Sequence, residues 1–197
     1  MTERKADVKR QTRETQIEVS VNLDGTGQVR AETGVGFLDH LLDHLGKHSL
    51  CDLSVTARGD LEVDDHHTTE DVGLCLGEAL ARALGDKTGI RRYGWACVPM
   101  DEALATVALD LSGRAAVVFN VPFVGDKIGT FDTQLVEEFI RRLATTAGIN
   151  IHVNVPYGGN DHHMAEAVFK AFAQALRRAK EIDPACGGQV PSTKGSL

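Results

Sequence analysis

The sequence predicts an α/β fold that arose by internal duplication. The motif D-H-H-x-x-E occurs twice, at residues 65–70 and 161–166, so the second copy begins about half the chain length after the first. Similar segments flank both copies, and each half continues in the order helix, strand, loop, motif, helix. A repeated order of elements around a repeated motif indicates two copies of one structural unit.

The first half alternates strand and helix patterns. FLDHLLDHLGKHSL (37–50) has apolar residues at helical spacing, which predicts an amphipathic helix. CDLSVTA (51–57) and the earlier TQIEVSVNLD (15–24) alternate apolar and polar residues, as half-buried strands do. DVGLCLGEALARAL (71–84), directly after the motif, predicts a second helix.

The second half repeats this order. TQLVEEFIRRLATTAG (133–148) predicts a helix that ends at its glycine, INIHVNV (149–155) predicts a strand, and AVFKAFAQALRRAK (167–180) predicts a helix after the motif. ATVALDLSGRAAVVFNV (105–121) has the alternation of strands joined in hairpins.

These patterns define the predicted organisation of the chain. We place the first repeat at 1–92 and the second at 93–185, both within one compact domain. Residues 186–197 have the composition of a loop and form either a disordered tail or a lid.

Composition and charge exclude several classes of protein. The net charge of −7 argues against general binding of nucleic acid or anionic membranes, although a local basic pocket is compatible with it. The longest apolar runs fall short of the roughly 20 residues of a membrane span, and the N-terminal segment lacks the apolar core of a secretory signal. We expect a cytoplasmic protein with four free thiols, Cys51, Cys75, Cys97 and Cys186.

The clustered histidines indicate metal chemistry. Each D-H-H-x-x-E motif lies where a loop enters a helix, so its glutamate shares a helix face with one of the histidines. Adjacent histidines diverge by about 100° around a helix axis, so they favour two different ions. Two copies predict a dinuclear site of imidazole and carboxylate ligands, suited to Mn²⁺, Fe²⁺ or Zn²⁺.

Further donors come from the helices that precede the motifs. His40, His44 and His48 share one helix face, which fits either a helix surface or extra ligands. Aligning the two repeats matches His40 with Glu138, so these two are the better candidates. His152 alternates with apolar residues in a strand, which favours a buried or supporting role.

The residues alone do not decide the reaction. Paired cations of this kind usually lower the pKa of bound water for hydrolysis. A dinuclear phosphohydrolase, a metal-storage protein and a scaffold protein therefore all agree with the histidine clusters.

Seven blocks of the chain, in order and covering nearly its whole length, resemble the imidazoleglycerol-phosphate dehydratase family of histidine biosynthesis. The blocks are RETQIEVSVNLDGTG (13–27), TGVGFLDHLLDHLGKHSLCDL (33–53), DDHHTTEDVGLCLGEAL (64–80), GIRRYG (89–94), DLSGR (110–114), GNDHHMAEAVFKAFAQAL (159–176) and PSTKG (191–195).

The resemblance implies the fold and the metal. Each half would be a ribosomal-S5-domain-2-like unit with a mixed four-stranded sheet packed on a helix layer. Two Mn²⁺ ions per active site would be held by a set of eight ligands. Many members have histidine where this chain has Glu138, and glutamate also binds a hard cation. The ligand set is His40, His66, His67, Glu70, Glu138, His162, His163 and Glu166.

The resemblance also implies a lyase reaction. D-erythro-imidazole glycerol phosphate would lose water through a metal-bound imidazolate and a diazafulvene-like intermediate, giving imidazole acetol phosphate. Glu14, Glu70 and Glu166 would be catalytic, and Glu14 would also contact the substrate as the base; from the residues alone, Glu14 equally fits a solvated charge on an edge strand. The remaining substrate contacts, mostly to phosphate, would be Arg92, Arg114, Ser192, Thr193 and Lys194.

The resemblance further implies a homo-oligomer, a 24-mer built from trimers with active sites at subunit boundaries. The C-terminal tail would close over the phosphate. Asp65 and Asp161 would either orient the histidines or cap the motif helices.

Overall fold

The computed structural model describes residues 3–197, so the first two residues of the predicted first repeat lie outside the described part. The first half contains β1 (Lys5–Gln11), β2 (Thr15–Asn22), β3 (Val29–Glu32), α1 (Gly36–Ser49), β4 (Asp52–Gly59) and α2 (His66–Leu84). The second half contains β5 (Tyr93–Met100), β6 (Ala103–Asp110), β7 (Ala116–Asn120), β8 (Lys127–Ile128), β9 (Phe131–Asp132), α3 (Gln134–Ala147), β10 (Asn150–Tyr157) and α4 (Asp161–Lys180).

Each half forms one mixed four-stranded sheet, and the two sheets have the same topology. The first has the order β1-β2-β4-β3 and the second the order β5-β6-β10-β7. In both, the first three strands of this order pair antiparallel and the fourth pairs parallel with its neighbour. The predicted fold class, a duplicated α/β unit with two mixed sheets on helices, is confirmed.

The expectation of hairpins within 105–121 is wrong for the two strands of that segment. β6 and β7 do not pair with each other; each pairs with β10, which lies between them. The chain leaves β7, passes through α3 and returns as β10 parallel to β7, as a helical crossover requires. The hairpin within the four-stranded sheet of this half joins β5 to β6.

The strands have one apolar and one polar face because their residues alternate. In β2, Ile17, Val19 and Val21 are buried, whereas the residues between them are exposed. α2 packs on β1 and β2, and α4 packs on β5 and β6. One face of each sheet therefore contributes to the core. The helices of the described residues are all too short or too polar to cross a membrane.

The helices also pair across the two halves. α2, which carries the first motif, packs against α3 of the second half, and α4, which carries the second motif, packs against α1 of the first half. This exchange brings the start of each motif helix next to the first helix of the other half.

Glycines allow the close approach of α2 and α3. A Cβ atom at Gly77 would lie 2.2 Å from the Thr146 hydroxyl oxygen and 2.3 Å from the Leu143 carbonyl oxygen, and one at Gly73 would lie 3.0 Å from the Phe139 carbonyl oxygen. The distances at Gly77 are too short for any side chain and the one at Gly73 is tight, so the close spacing of the two helices depends on these glycines.

We expect Gly77→Ala to destabilise the protein by about 1–3 kcal/mol, because α3 must move away from α2. Chemical denaturation with the divalent cation concentration held constant measures the change. Gly36→Ala is the matched control, since a Cβ atom there meets nothing within 4 Å. Equal stability of the two variants would contradict the close packing.

Candidate functional site

The first candidate metal cluster joins α1 to α4. His40 of α1 and His162 of α4 both direct Nε2 at the same carboxylate oxygen, Oε1 of Glu166, at 2.8 Å. One donor atom from each of the three residues lies within 4.8 Å of the other two. Two imidazole nitrogens and a carboxylate at this spacing suit one divalent cation. We call this set the α4 cluster.

Glu166 is the centre of the α4 cluster. It is buried, and its second oxygen, Oε2, lies 2.5 Å from Lys170 Nζ and 3.1 Å from His44 Nε2. Burial acts against ionisation, but hydrogen bonds from Lys170, His40 and His162 outweigh it and hold the pKa of Glu166 well below its usual range. The carboxylate is therefore ionised and available to a cation.

His44 and His48 extend the cluster along α1. The His44 Nε2 atom lies 3.2 Å from His40 Nε2, and the His44 and His48 rings stack with centroids 5.7 Å apart. Burial, assisted by the nearby Lys170 ammonium, lowers the pKa of His44 to about 4. The His44 side chain is only 18% exposed and contacts Glu166, so the helix-surface interpretation is wrong for it.

The second cluster has the same plan in the other half. His66 and Glu70 of α2 meet Glu138 of α3, again with one donor atom from each within 4.8 Å. The Arg142 Nε atom lies 3.1 Å from a Glu70 oxygen and 2.5 Å from a Glu138 oxygen. We call His66, Glu70 and Glu138 the α2 cluster. Glu138 occupies the place that His40 has in the α4 cluster, as the repeat alignment predicts.

The second histidine of each motif points elsewhere. The ring planes of His66 and His67 make an angle of 86°, and those of His162 and His163 make an angle of 89°. Neither His67 nor His163 belongs to the three-residue clusters found among residues 3–197. The two histidines of each motif thus diverge as predicted, and each chain presents two motif imidazoles, His67 and His163, outside its own clusters.

Carboxylates hold these outer histidines. The His67 Nδ1 atom lies 3.0 and 3.2 Å from the two oxygens of Asp60, and His163 Nδ1 lies 2.7 Å from Glu102 Oε2. The Asp60 bond raises the pKa of His67, and the Glu102 bond raises the pKa of His163. The His163 bond and backbone N–H donors in turn lower the pKa of Glu102 to about 2.

The expectation for Asp65 and Asp161 is wrong. Asp161 accepts hydrogen bonds from the backbone N–H groups of Val124 and Gly125, at 3.0 and 2.7 Å, and so anchors the loop before β8. Asp65 makes no capping hydrogen bond from its side chain. The side chain of Asn160 caps α4 instead.

Two further residues of the sequence analysis, Glu14 and His152, both have exposed side chains. Glu14 lies in the turn between β1 and β2 with an exposed side chain, and its Oε2 atom is 3.9 Å from His67 Nδ1. His152 is exposed on β10, so the expectation of a buried or supporting role is wrong. The strand alternation places His152 on the outer face of its sheet.

The predicted phosphate-binding residues line one pocket of about 650 Å³. The Arg92 guanidinium donates to both Asp110 oxygens, at 2.7 and 3.0 Å, and to the Pro191 carbonyl oxygen at 2.8 Å. The C-terminal tail therefore folds back over β5 and β6 to form one wall. The predicted residues lining the pocket are Arg92, Arg114, Ser192, Thr193 and Lys194.

Sequence reasoning missed the groups that surround the clusters. Lys170 and Arg142 each follow a cluster glutamate by four residues on the same helix, so helical spacing could have indicated them. Asp60 and Glu102 lie in turns, where nothing in the local sequence shows which side chain they face.

Comparisons with known proteins agree on one family. The family model described as imidazoleglycerol-phosphate dehydratase matches residues 33–176. The chain is 58% identical over 194 residues to the imidazoleglycerol-phosphate dehydratase of Granulibacter bethesdensis, covering 98% of this chain and 99% of the relative. It is 57% identical to that of Ruegeria pomeroyi, with 98% and 100% covered.

Solved structures give the same result. The crystal structure of the Staphylococcus aureus imidazoleglycerol-phosphate dehydratase matches with a TM-score of 0.81 at 42% identity, covering 89% of this chain and 97% of that one. The Pyrococcus furiosus enzyme in complex with (S)-C348 matches with a TM-score of 0.81 at 36% identity, covering 96% and 100%. The resemblance of the motifs is confirmed: the chain belongs to the imidazoleglycerol-phosphate dehydratase family and is a dehydratase, an enzyme of the lyase class.

Proposed function

We propose that the protein converts D-erythro-imidazole glycerol phosphate to imidazole acetol phosphate in histidine biosynthesis, with two Mn²⁺ ions per active site. The observation that supports this most directly is the pair of matching clusters, α4 and α2, together with the outer histidines His67 and His163. A substrate that carries an imidazole ring offers two ring nitrogens, one for each of two cations.

The donor sets fit Mn²⁺. The α4 and α2 clusters offer only imidazole nitrogen and carboxylate oxygen, which this borderline-hard cation accepts, and no thiolate belongs to either. His40, His162 and Glu166 would hold one ion, and His66, Glu70 and Glu138 the other. When bound at the ring nitrogens, the two cations would stabilise negative charge on the substrate imidazole and so assist departure of the neighbouring hydroxyl.

Glu14 is the proposed base. It lies 3.9 Å from His67, exposed and without a charged hydrogen-bond partner in the described chain. Its carboxylate would take the proton from the carbon next to the one that loses hydroxide. Proton and hydroxide together make one water, and the resulting enol becomes the ketone product.

The pocket that the C-terminal tail helps to form is the proposed phosphate site. Arg114 and Lys194 are exposed at its edge and bring local positive charge to an acidic protein. Hydrogen bonds to Asp110 and to the Pro191 carbonyl hold the Arg92 side chain in place and use three of its five N–H donors. The other two would bind phosphate with little further loss of side-chain freedom.

The phosphate pocket lies far from the α4 cluster of the same chain. The Arg92 backbone N–H donates to the Ala179 carbonyl at the end of α4, whereas His162 lies at its start, about 25 Å away by helix rise. Ring and phosphorus in the substrate are separated by five bonds, about 7 Å. The phosphate pocket of one subunit would therefore serve a site that includes the α4 cluster of another, which supports the proposed homo-oligomer. The 24-mer of trimers is the assembly that the family resemblance implies.

Turnover of imidazole glycerol phosphate tests the proposal. We expect the metal-stripped protein to be inactive and added Mn²⁺ to restore formation of the ketone product, with no release of inorganic phosphate. Mass spectrometry of the product and a phosphate assay measure the two outcomes. Release of phosphate would instead support a dinuclear phosphohydrolase, and absence of turnover in the Mn²⁺-loaded assembly would support a storage or scaffold protein.

We expect Mn²⁺ affinity to weaken as the pH falls from about 8 to about 6. The raised pKa values of His67 and His163 mean that each imidazole already binds a proton above its usual pH range, and a cation must displace it. Calorimetric titration of the metal-stripped protein at several pH values measures the effect. An affinity that stays constant over this range would argue against imidazole ligands.

We expect Lys194→Ala to raise KM about tenfold or more while changing kcat less, because the ammonium would bind phosphate equally in the ground and transition states. Steady-state kinetics measure both constants. Lys5→Ala, which removes an exposed lysine outside the pocket, is the control. An unchanged KM would remove Lys194 from the phosphate site.

A further inference from the structure

The duplication places two glutamates at equivalent positions. β2 and β6 are the second strands of their sheets and have eight residues each. Glu14 directly precedes β2, and Glu102 directly precedes β6. Both therefore lie in the first hairpin turn of their half, facing the start of the motif helix.

In the second half, this glutamate binds the outer histidine. Glu102 Oε1 accepts hydrogen bonds from the backbone N–H groups of Gly159 and Asn160, at 3.1 and 2.8 Å. Its other oxygen, Oε2, accepts the bond from His163 Nδ1 at 2.7 Å. A carboxylate fixed in this way keeps the ring proton on Nδ1, which leaves the Nε2 lone pair for a cation.

In the first half, a different carboxylate has this role. Asp60 follows β4 and contacts His67 Nδ1 through both oxygens. Glu14, the counterpart of Glu102, stays 3.9 Å from the same nitrogen, and its side chain is 56% exposed. The first half thus has two carboxylates near Nδ1 of its outer histidine, whereas the second half has one there. Asp101 Oδ2 lies 3.7 Å from the other ring nitrogen of His163, Nε2, and the side chain of Asp101 is 71% exposed.

The position equivalent to Asp60 carries no carboxylate. Gly59 and Gly158 correspond, because a Cβ atom at either would meet the residue that follows the two histidines of its motif, Thr68 or Met164. Asp60 therefore corresponds to Gly159, which has no side chain and whose backbone N–H donates to Glu102. The second half therefore depends on Glu102 to hold its histidine.

We infer that Asp60 and Glu102 are positioning residues that hold His67 and His163 with Nε2 free for a cation, and that Asp60 thereby releases Glu14 for proton transfer. This inference rests on the proposed function. It explains how two glutamates at equivalent positions take different tasks, since only Glu14 has a neighbour that replaces it at the histidine.

The geometry predicts different effects for different substitutions. In Glu102→Gln, two backbone N–H groups fix the amide oxygen, so the amide NH₂ faces His163 Nδ1. The ring must then accept that bond and carry its proton on Nε2, which blocks a cation. Asp60 has no such backbone anchor on its side chain, so Asp60→Asn can turn its oxygen towards His67, whereas Asp60→Ala cannot.

The test compares Mn²⁺ affinity and kcat in the full-length protein. We expect Glu102→Gln and Asp60→Ala to weaken Mn²⁺ binding about 10–100-fold, and Asp60→Asn to recover most of the loss seen in Asp60→Ala. Glu14→Gln should keep the wild-type affinity and stoichiometry but lose about 100-fold or more in kcat. Glu62→Gln, an exposed residue near Asp60, is the control and should match the wild type in both.

The outcomes separate the inference from the proposed function. Wild-type affinity in Glu102→Gln and Asp60→Ala would overturn the positioning role, even with dehydratase activity intact. Weaker affinity in Glu14→Gln would overturn the division of tasks. If the affinities follow the expectation but the wild-type protein forms no ketone product, the positioning role stands and the proposed reaction fails. Melting temperatures near that of Glu62→Gln exclude general unfolding as the cause.

Discussion

The packing of each motif helix against the first helix of the other half is the constraint on which the site depends. α4 brings His162 and Glu166 to His40 on α1, and α2 brings His66 and Glu70 to Glu138 on α3. Neither half could build a three-residue cluster from its own helices in this arrangement. The glycines that let α2 approach α3 closely are therefore also requirements of the α2 cluster.

Local patterns in the sequence predicted the fold and the candidate ligands of both clusters, because the relevant spacings are short, but they did not predict how these ligands group. Helical periodicity, strand alternation and the i, i+4 distance from His66 to Glu70 all act within one element, and the repeat alignment linked His40 to Glu138 across the halves. The pairing of β6 with β10, the anchoring role of Asp161 and the contacts of Asp60 and Glu102 depend on how distant loops meet. The residue spacing within a single helix or strand does not predict such contacts between distant loops.

Charge within this acidic protein is distributed by local pairing. Each cluster glutamate has a cation within hydrogen-bond reach, Lys170 beside Glu166 and Arg142 beside Glu70. Hydrogen bonds from Lys170 and the cluster histidines hold the pKa of Glu166 below its usual range despite its burial. The proposed phosphate pocket uses the same principle with the signs reversed, because Asp110 fixes Arg92 while other donors of the guanidinium stay available.

The two halves differ where a strictly symmetric site would not support the chemistry. Matching clusters suit an imidazole ring, because each of its two nitrogens can bind one cation. Removal of a proton from one carbon, in contrast, requires a base on one side only. The structure contains such an asymmetry at the outer histidines. Gly159 has no side chain and leaves Glu102 bound to His163, whereas Asp60 at the equivalent position contacts His67 and leaves Glu14 exposed beside it. In the proposed function, the duplicated fold thus keeps a matching pair of clusters for cations and offers Glu14 as the base.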